Sequence, residues 1–230
     1  MGTTEARMLP ITATEEWRSS HPGGAIGLLE LSGARGTVGL EERKRHTEAL
    51  LRERYKGFAR PDFAALPVMS AYVQYYKRFG KTYHVQLQVE SIVLKGKSLP
   101  NVSPLVDATF VAEVDTLVLT AGHDVARLEG PVTMDVARVG DHMTQMSGES
   151  RPIRAGDMIM RDARGVCCSI IYGQDNRSPI SPHTAQVLYV AYAPAGVPAQ
   201  AVEDQLRKIE ENVRCVAPHA VTEQRRILSA

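Results

Sequence analysis

The chain has few cysteines, few aromatic residues and little net charge, unlike disulfide-rich secreted proteins and strongly basic nucleic-acid-binding proteins. Three of its 230 residues are cysteine, 6% are aromatic, and the formal net charge is +1. Three cysteines cannot build a disulfide framework, and the adjacent Cys167 and Cys168 cannot form a CxxC metal knuckle. We therefore expect buried free thiols in a reducing compartment. The small net charge excludes a global basic field, so any RNA contact must come from a local patch.

Long apolar runs and familiar catalytic motifs are also missing. No segment approaches a membrane span, and the first seventeen residues hold no apolar core of signal-peptide length. This predicts a cytoplasmic protein with no membrane partner. There is no GxSxG, HExxH, P-loop or GxGxxG after a strand. The seven histidines are dispersed, which disfavours a metal site of His123, Asp124 and His142. We expect no metal and no organic cofactor.

Helical periodicity dominates the first half of the chain and returns near its end. Thr14 is a candidate cap for a brief helix that carries Trp17. Gly96 is a stop signal for the helix before it. Apolar residues at helical spacing predict the longer helices: Leu40–Tyr55, Val68–Phe79, Val85–Leu94, a segment around Asp107, and Pro198–Val213.

Short runs of strand type, separated by Gly, Asp and Pro, dominate the second half. The predicted strands begin at Ile11 and include Ala25–Leu31, Val132–Val136, Met158–Met160, Val166–Tyr172 and Gln186–Ala193. We expect an α+β fold in which a helical N-terminal part packs on a mostly antiparallel β sandwich or partly closed barrel. The helix around Asp107 should pack on the later strands, because these runs are too short to bury themselves separately.

The stretch Leu99–Gly130 is the most informative part of the chain. It contains Val106-Asp107-Ala108-Thr109, then Gly122-His123-Asp124, and Gly130 six residues after that aspartate. Five residue pairs and two single residues occur in order around it: Phe79-Gly80, Glu90-Ser91, Gly140-Asp141, Gly156-Asp157, Arg161-Asp162, Arg177 and Thr184. As an ordered set, these residues resemble the B3/B4 editing domain of the phenylalanyl-tRNA synthetase β subunit and its free-standing relatives.

The resemblance implies an organisation and an activity. It implies a single B3/B4-like domain over residues 1–230, with an N-terminal α/β extension (1–66), the B3/B4 core (67–197), and a C-terminal helix and tail (198–230). The implied activity is that of an aminoacyl-tRNA deacylase, which hydrolyses the ester of a mischarged tRNA. The implied partner is the aminoacylated 3′ end of tRNA, and DNA is not expected. The alternative is a non-catalytic protein that kept the pocket to bind an amino acid, a small metabolite or RNA.

The same resemblance assigns candidate site residues. The catalytic candidates are Asp124, Gln174 and Asp175. The substrate-binding candidates are Asp107, His123, Cys168, Ser169, Tyr172, Arg177 and Thr184. The asparagine, histidine and glutamate of the synthetase site correspond by spacing to Phe110, Ala121 and the 172–174 stretch. The resemblance therefore supports the pocket rather than the same catalytic set.

Several candidates have a structural alternative. Asp107 is as well suited to cap a helix as to bind a ligand, and Asp124 is suited to a turn. Arg177 can pair with a carboxylate or meet a phosphate. The tyrosines of the second helix, Tyr72, Tyr75 and Tyr76, fit either a core stripe or a stacking face for RNA bases.

The expected ligand cavity lies where the Asp107 segment, the His123-Asp124 turn and residues 167–177 converge. Side chains at Cys168, Ser169 and Tyr172 replace glycines of the synthetase domain. Added volume in a close-packed wall excludes larger ligands, so we expect a preference for amino acids smaller than tyrosine.

Overall fold

The structure is a computed structural model that describes residues 8–36 and 38–230. Residues 1–7 of the predicted extension lie outside the described residues. The helices are α1 (Glu15–Ser20), α2 (Glu41–Arg54), α3 (Arg60–Ala65), α4 (Pro67–Arg78), α5 (His84–Lys95), α6 (Pro104–Thr116) and α7 (Ala199–Val216), with a 3-10 turn at Val125–Arg127.

The strands are mostly short and are separated by turns, several of which contain a glycine with a positive φ. They are β1 (Ile11–Ala13), β2 (Ala25–Ser32), β3 (Thr120–Asp124), β4 (Val132–Val136), β5 (His142–Thr144), β6 (Ser150–Pro152), β7 (Met158–Asp162), β8 (Gly165–Ser169), β9 (Gly173–Gln174), β10 (Gln186–Ala193) and β11 (Val221–Ser229).

The described strands form three open sheets rather than a closed barrel. One has the order β1-β4-β7-β8-β9, another β11-β2-β10-β3, and a small one pairs β5 with β6. Only the β1–β4 pair is parallel among the described strands. Helix α6 packs against α7 and β3. The predicted α+β class with mostly antiparallel pairing is confirmed.

Local signals in the sequence placed several elements correctly. Thr14 caps α1, since its hydroxyl accepts a hydrogen bond from the Trp17 N–H at 3.0 Å. Gly96 ends α5 with a φ of +63°, a left-handed conformation that favours glycine. The segment around Asp107 is helix α6. These elements confirm the helical first half.

Several elements differ from the prediction, and the short strands β5, β6 and β9 are among those that the sequence did not predict. The His123-Asp124 segment is the end of strand β3, not a turn. The predicted C-terminal tail contains β11, an edge strand that pairs with β2. Helix α3 was not predicted. Strands β3 and β11 lack a continuous apolar run, because edge strands are partly exposed. Helix α3 has only six residues, which is too short to give a clear helical pattern.

Packing settles the alternatives for the tyrosines and cysteines. Tyr72 and Tyr76 are buried and donate their hydroxyls to the carbonyls of Tyr192 and Ile170, each at 2.6 Å. Tyr75 is buried as well, so the stripe belongs to the core and offers no stacking face to RNA. Cys167 and Cys168 are buried thiols as predicted. Cys215 is exposed, because it falls on the outward side of α7, which corrects the prediction of three buried thiols.

None of the helices in residues 8–36 and 38–230 is both long and apolar enough to cross a membrane. The burial pattern instead places most apolar side chains in one cluster, with members from Ile11 near the start of the described chain to Ala220 near its end.

Candidate functional site

A cavity of about 410 Å³ opens between α6 and the edge of the β sheets. Its volume falls in the range of small-molecule sites. The wall comes from α6 (Val106, Thr109, Phe110), β3 and the residue before it (Leu119–Gly122), the β8–β9 hairpin (Cys168–Ile170, Gly173, Gln174), the 179–180 loop and Tyr192. His84 and two exposed apolar residues, Val102 and Met146, complete the lining.

The local sequence explains how these segments come together. Val106, Thr109 and Phe110 are spaced three and four residues apart, so they share one face of α6. Gly122 lets β3 lie close to its neighbours. A Cβ at this position would lie 2.6 Å from the Ile180 Cδ1 and 3.1 Å from the Tyr189 Cε1. A side chain at position 122 would therefore force the end of the Ile180 side chain to move at the cavity wall.

The cavity lining is mainly apolar, with few polar groups. The buried hydroxyls of Thr109 and Tyr192 have no hydrogen-bond partner in the described part of the chain. The Gln174 amide donates to the Ser178 carbonyl at 2.8 Å. Burial raises the pKa of Cys168 to about 12, so this thiol stays protonated and is a poor nucleophile at neutral pH.

A polar group lies just behind the wall. His123 is fully buried, and its Nδ1 lies 2.8 Å from the Ser178 Oγ and 3.1 Å from the Gln174 Nε2. Burial lowers the pKa of His123 to about 3, which keeps the ring neutral. The ring therefore supports the wall residue Gln174 as a neutral hydrogen-bonding group.

The structure brings three of the ten predicted site residues to the cavity. Cys168, Ser169 and Gln174 belong to the lining. Phe110 and Ala121, which match the synthetase asparagine and histidine positions by spacing, also belong to it. The cavity thus lies among the three segments predicted to converge. The other seven predicted residues are outside the lining: Asp107, His123, Asp124, Tyr172, Asp175, Arg177 and Thr184.

Asp107 points away from the cavity and into the core. Its carboxylate forms an ion pair with Lys44, and the two side chains are 5% and 4% exposed. It also accepts a hydrogen bond from the Val102 N–H at 3.1 Å. The ammonium group of Lys44 donates to the Pro100 carbonyl at 2.7 Å and to the Asn101 side chain at 2.8 Å. Asp107 therefore fixes the entry into α6.

The side chains of Asp124 and Thr184 form a hydrogen bond with each other. The Thr184 hydroxyl donates to the Asp124 carboxylate at 2.8 Å, and the same carboxylate accepts from the Ala126 N–H at 3.1 Å. This caps the 3-10 turn after β3. The contact with Ala126 is the local backbone bond typical of an aspartate before a turn, whereas the contact with Thr184 joins residues 60 apart in the chain.

Arg177 bridges two buried carboxylates. Its guanidinium lies 3.2 Å from Asp162 and 2.7 Å from Asp175. Asp175 also accepts from the Ser178 N–H and hydroxyl. The carboxylate-pairing alternative for Arg177 is thus what the structure shows.

Tyr172 lies outside the wall because β8 ends at Ser169 and the chain turns there. Its ring instead packs on a small apolar cluster and lies under the Arg151 guanidinium. The Arg151 Cζ is 5.3 Å from the centroid of the Tyr172 ring. The expectation that Tyr172 narrows the cavity is therefore wrong.

Thr109, Leu119, Ile180 and Tyr192 of the lining were not among the predicted site residues. Thr109 was adjacent to a signal, since it lies within the Val106–Thr109 motif. Leu119 and Tyr192 occur in apolar runs that are typical of core strands, and Ile180 lies in a loop between two prolines. The sequence of such an apolar run is the same whether its side chains line a cavity or pack in the core.

No cluster of three or more metal-ligating side chains occurs within residues 8–36 and 38–230. His142 is exposed, whereas His123 and Asp124 are buried. His123, Asp124 and His142 therefore do not form a shared metal site.

Two acids are buried beside the cavity without a cation partner in the described chain. Glu113 accepts a hydrogen bond from the N–H of Thr120, a lining residue, at 2.7 Å. Burial raises the pKa of Glu113 to about 8 and that of Asp157 to about 7. At neutral pH Glu113 is therefore mostly protonated and Asp157 is partly protonated, whereas both groups would be ionised in the unfolded chain.

Replacing Glu113 with glutamine should change how stability depends on pH. The folded-state pKa of Glu113, about 8, lies above its ordinary value of 4.5, so this residue lowers stability as pH rises between those values. Glu113→Gln removes that loss, at about 1.4 kcal/mol per pKa unit. As the pH rises from about 5 to about 9, the free energy of unfolding of the variant, measured in urea, should increase by several kcal/mol relative to that of the wild type. An unchanged difference between the two proteins across this range would contradict the prediction.

Comparison with known proteins gives a family match. The model of the family described as "B3/4 domain" matches residues 71–213. The crystal structure of an N-terminal fragment of the phenylalanyl-tRNA synthetase beta-subunit from Pyrococcus horikoshii is similar with a TM-score of 0.46 and 8% identity. The similarity covers 95% of this chain and 50% of that one, so the chain spans half the length of the fragment. No curated protein matches the sequence.

Proposed function

Because the chain belongs to the B3/4 domain family, we propose that it hydrolyses the ester bond of a mischarged aminoacyl-tRNA. The observation that carries the proposal is the cavity. Its lining includes Phe110, Ala121 and Gln174, which are the positions that correspond to editing residues in the resemblance. A cytoplasmic location, a tRNA partner, and one domain with residues 67–197 as its core are parts of the same proposal.

The lining is suited to an amino-acid side chain. Val106, Phe110 and Ile180 provide apolar contacts for it. An aminoacyl ester is already activated, so the site needs to orient water at the carbonyl and stabilise the oxyanion. Gln174, Ser169 and the unpartnered hydroxyls of Thr109 and Tyr192 are polar wall groups available for this. The 3′ end of the tRNA would lie at the opening near Val102 and Met146.

The preferred amino acid follows from the same lining. A mainly apolar wall disfavours charged side chains, because a buried charge without a partner is costly. Cys168 and Ser169 still occupy positions where the synthetase domain has glycine. Tyr172 does not contribute, so the expected preference for residues smaller than tyrosine depends on these two side chains alone. We propose small apolar amino acids as the substrates.

A deacylation assay tests the proposal. Purified protein is added to tRNAs charged with alanine, valine, leucine, tyrosine or aspartate, and release of the amino acid is followed. We expect release of the small apolar residues, slower release of tyrosine, and none of aspartate. Faster release of tyrosine than of every smaller residue would refute the size preference. No release from any tRNA would refute the deacylase.

Filling the cavity should lower this activity strongly. Ala121→Trp places a large side chain in the lining, and overpacking costs about 1–3 kcal/mol, or roughly tenfold to a hundredfold in affinity. We expect at least that loss in kcat/KM. The matched control is Val139→Trp, because Val139 is 95% exposed and is not part of the lining. Equal activity of the two variants would exclude this cavity as the site.

The second candidate is a non-catalytic binding protein. Phe110 and Ala121 favour it, since both are apolar where the synthetase domain has an asparagine and a histidine. Such a protein would bind a small apolar ligand in the cavity and release nothing from charged tRNA. Ligand binding that Ala121→Trp abolishes, without turnover of any aminoacyl-tRNA, would establish this alternative.

A further inference from the structure

A buried carboxylate lies directly behind one polar residue of the cavity wall. Asp157 is fully buried, and no ion pair with it occurs in residues 8–36 and 38–230. One oxygen accepts a hydrogen bond from the Tyr75 hydroxyl at 2.7 Å. The other accepts from the Ser169 hydroxyl and, at 3.4 Å, from the Ile171 N–H. The carboxylate is therefore fixed by donors on both of its oxygens.

Ser169 connects this carboxylate to the cavity. Ser169 belongs to the cavity lining, and its hydroxyl also accepts a hydrogen bond from the Tyr172 N–H at 3.0 Å. A hydroxyl that donates to a carboxylate can accept a proton on its other side. The Ser169 hydroxyl thus connects the cavity to the buried Asp157 carboxylate, which can act as a base.

Tyr75 holds the far side of the network. It accepts the Met158 N–H at 2.7 Å while it donates to Asp157, so its own proton is fixed in one direction. The first residue of β7 and a residue of α4 therefore orient the carboxylate toward Ser169. Its position does not depend on a flexible side chain at the surface.

We propose that Ser169 takes the proton of the attacking water in ester hydrolysis and that Asp157, acting through Ser169, receives a proton in turn. This inference rests on the proposed deacylase function. It makes Ser169 a catalytic residue and Asp157 a positioning residue.

The proton transfers balance over the reaction. As the water oxygen bonds to the ester carbonyl carbon, one water proton passes to the Ser169 Oγ, and the Ser169 proton passes to Asp157. When the tetrahedral intermediate collapses, the bond from the carbonyl carbon to the ribose oxygen breaks. That oxygen takes a proton from Ser169, which recovers one from Asp157. The products are the free amino acid and the tRNA hydroxyl, and no bond to the protein forms.

The groups around Asp157 do not compete with it for protons near neutral pH. Burial raises the pKa of Tyr75 and Tyr76 on α4, of Cys168 on β8 and of Tyr192 on β10, so all four remain neutral there. His21, whose ring lies 6.1 Å from that of Tyr75, has its pKa lowered to about 4 by burial and by Arg78. The pKa of Asp157, raised by burial to about 7, suits a group that must accept and return a proton.

The test measures deacylation against pH for the wild type, Ser169→Ala and Asp157→Asn, with whichever aminoacyl-tRNA the wild type turns over. We expect both variants to lose roughly a hundredfold or more in kcat with little change in KM, the usual size of general acid–base effects. The wild-type kcat should fall as pH drops through about 7. Asp157→Asn should remove that dependence. Ser32→Ala, which changes a partly buried serine outside the cavity lining, is the control that should keep the wild-type rate.

Each outcome decides something different. Folded variants, verified by circular dichroism, that keep the wild-type rate and pH profile would overturn the proton relay and leave the deacylase standing. A wild type that turns over no aminoacyl-tRNA would overturn the deacylase and the relay with it. If Asp157→Asn does not fold, the wild type alone decides. A rate that is flat across the neutral range, or that shows no solvent deuterium isotope effect, would overturn the relay.

Discussion

Asp107→Asn should lower the free energy of unfolding by about 3–5 kcal/mol, because it leaves the buried Lys44 ammonium without its counter-ion. The carboxylate and the ammonium are both almost fully buried, and Lys44 has only a carbonyl and an amide oxygen as its other partners. Chemical denaturation of the variant and the wild type at neutral pH measures the difference.

The double variant Lys44→Met/Asp107→Leu is the matched control. It removes both charges and keeps much of the side-chain volume, so we expect it to recover most of the stability that Asp107→Asn loses. An Asp107→Asn protein of wild-type stability that no longer releases the amino acid would contradict this structural role. It would instead support the substrate-binding role that the resemblance implies.

Arg177→Ala should have an effect of similar size, about 3–5 kcal/mol, since it leaves Asp162 and Asp175 buried without a cation. Burial alone would raise the pKa of Asp162, but its hydrogen bonds from Arg177 and from backbone N–H groups hold that pKa below its ordinary value. A lowered pKa gives stability that is present at neutral pH and lost in acid. The deficit of Arg177→Ala should therefore shrink as the pH falls.

Arg164→Ala provides the comparison for Arg177. Arg164 pairs with Glu129, and both side chains are more than half exposed. An exposed pair contributes about 0–1 kcal/mol, so this variant should unfold almost as the wild type does. Equal losses for Arg164→Ala and Arg177→Ala, or a deficit for Arg177→Ala that does not vary with pH, would contradict the buried bridge.

Sequence signals that act over a few residues predicted much of the fold. The cap at Thr14, the stop at Gly96 and the apolar strand Gln186–Ala193 are each determined by neighbours in the chain, and the structure has all three. The edge strand β11 was missed because its residues are partly exposed and mostly polar, which is typical of loops as well.

The candidate site was less predictable, because its contacts join distant parts of the chain. Sequence order placed the α6, β3 and β8–β9 segments at one cavity. It could not show that Asp107 points to Lys44, 63 residues away. Nor could it show that the chain turns after Ser169 and carries Tyr172 out of the wall. Polar residues in a shared motif can thus serve the fold, while apolar ones such as Phe110 line the cavity.

Binding of a non-hydrolysable aminoacyl-adenosine, with an amide in place of the ester, tests most directly whether the cavity holds the aminoacyl group. Calorimetry would compare the leucyl and aspartyl forms on the wild type, Ala121→Trp and Val139→Trp. We predict that the wild type and Val139→Trp bind the leucyl form alike, and that Ala121→Trp binds it at least tenfold more weakly, as overpacking implies. Equal binding by Ala121→Trp, or tighter binding of the aspartyl form, would show that the aminoacyl group does not enter this cavity.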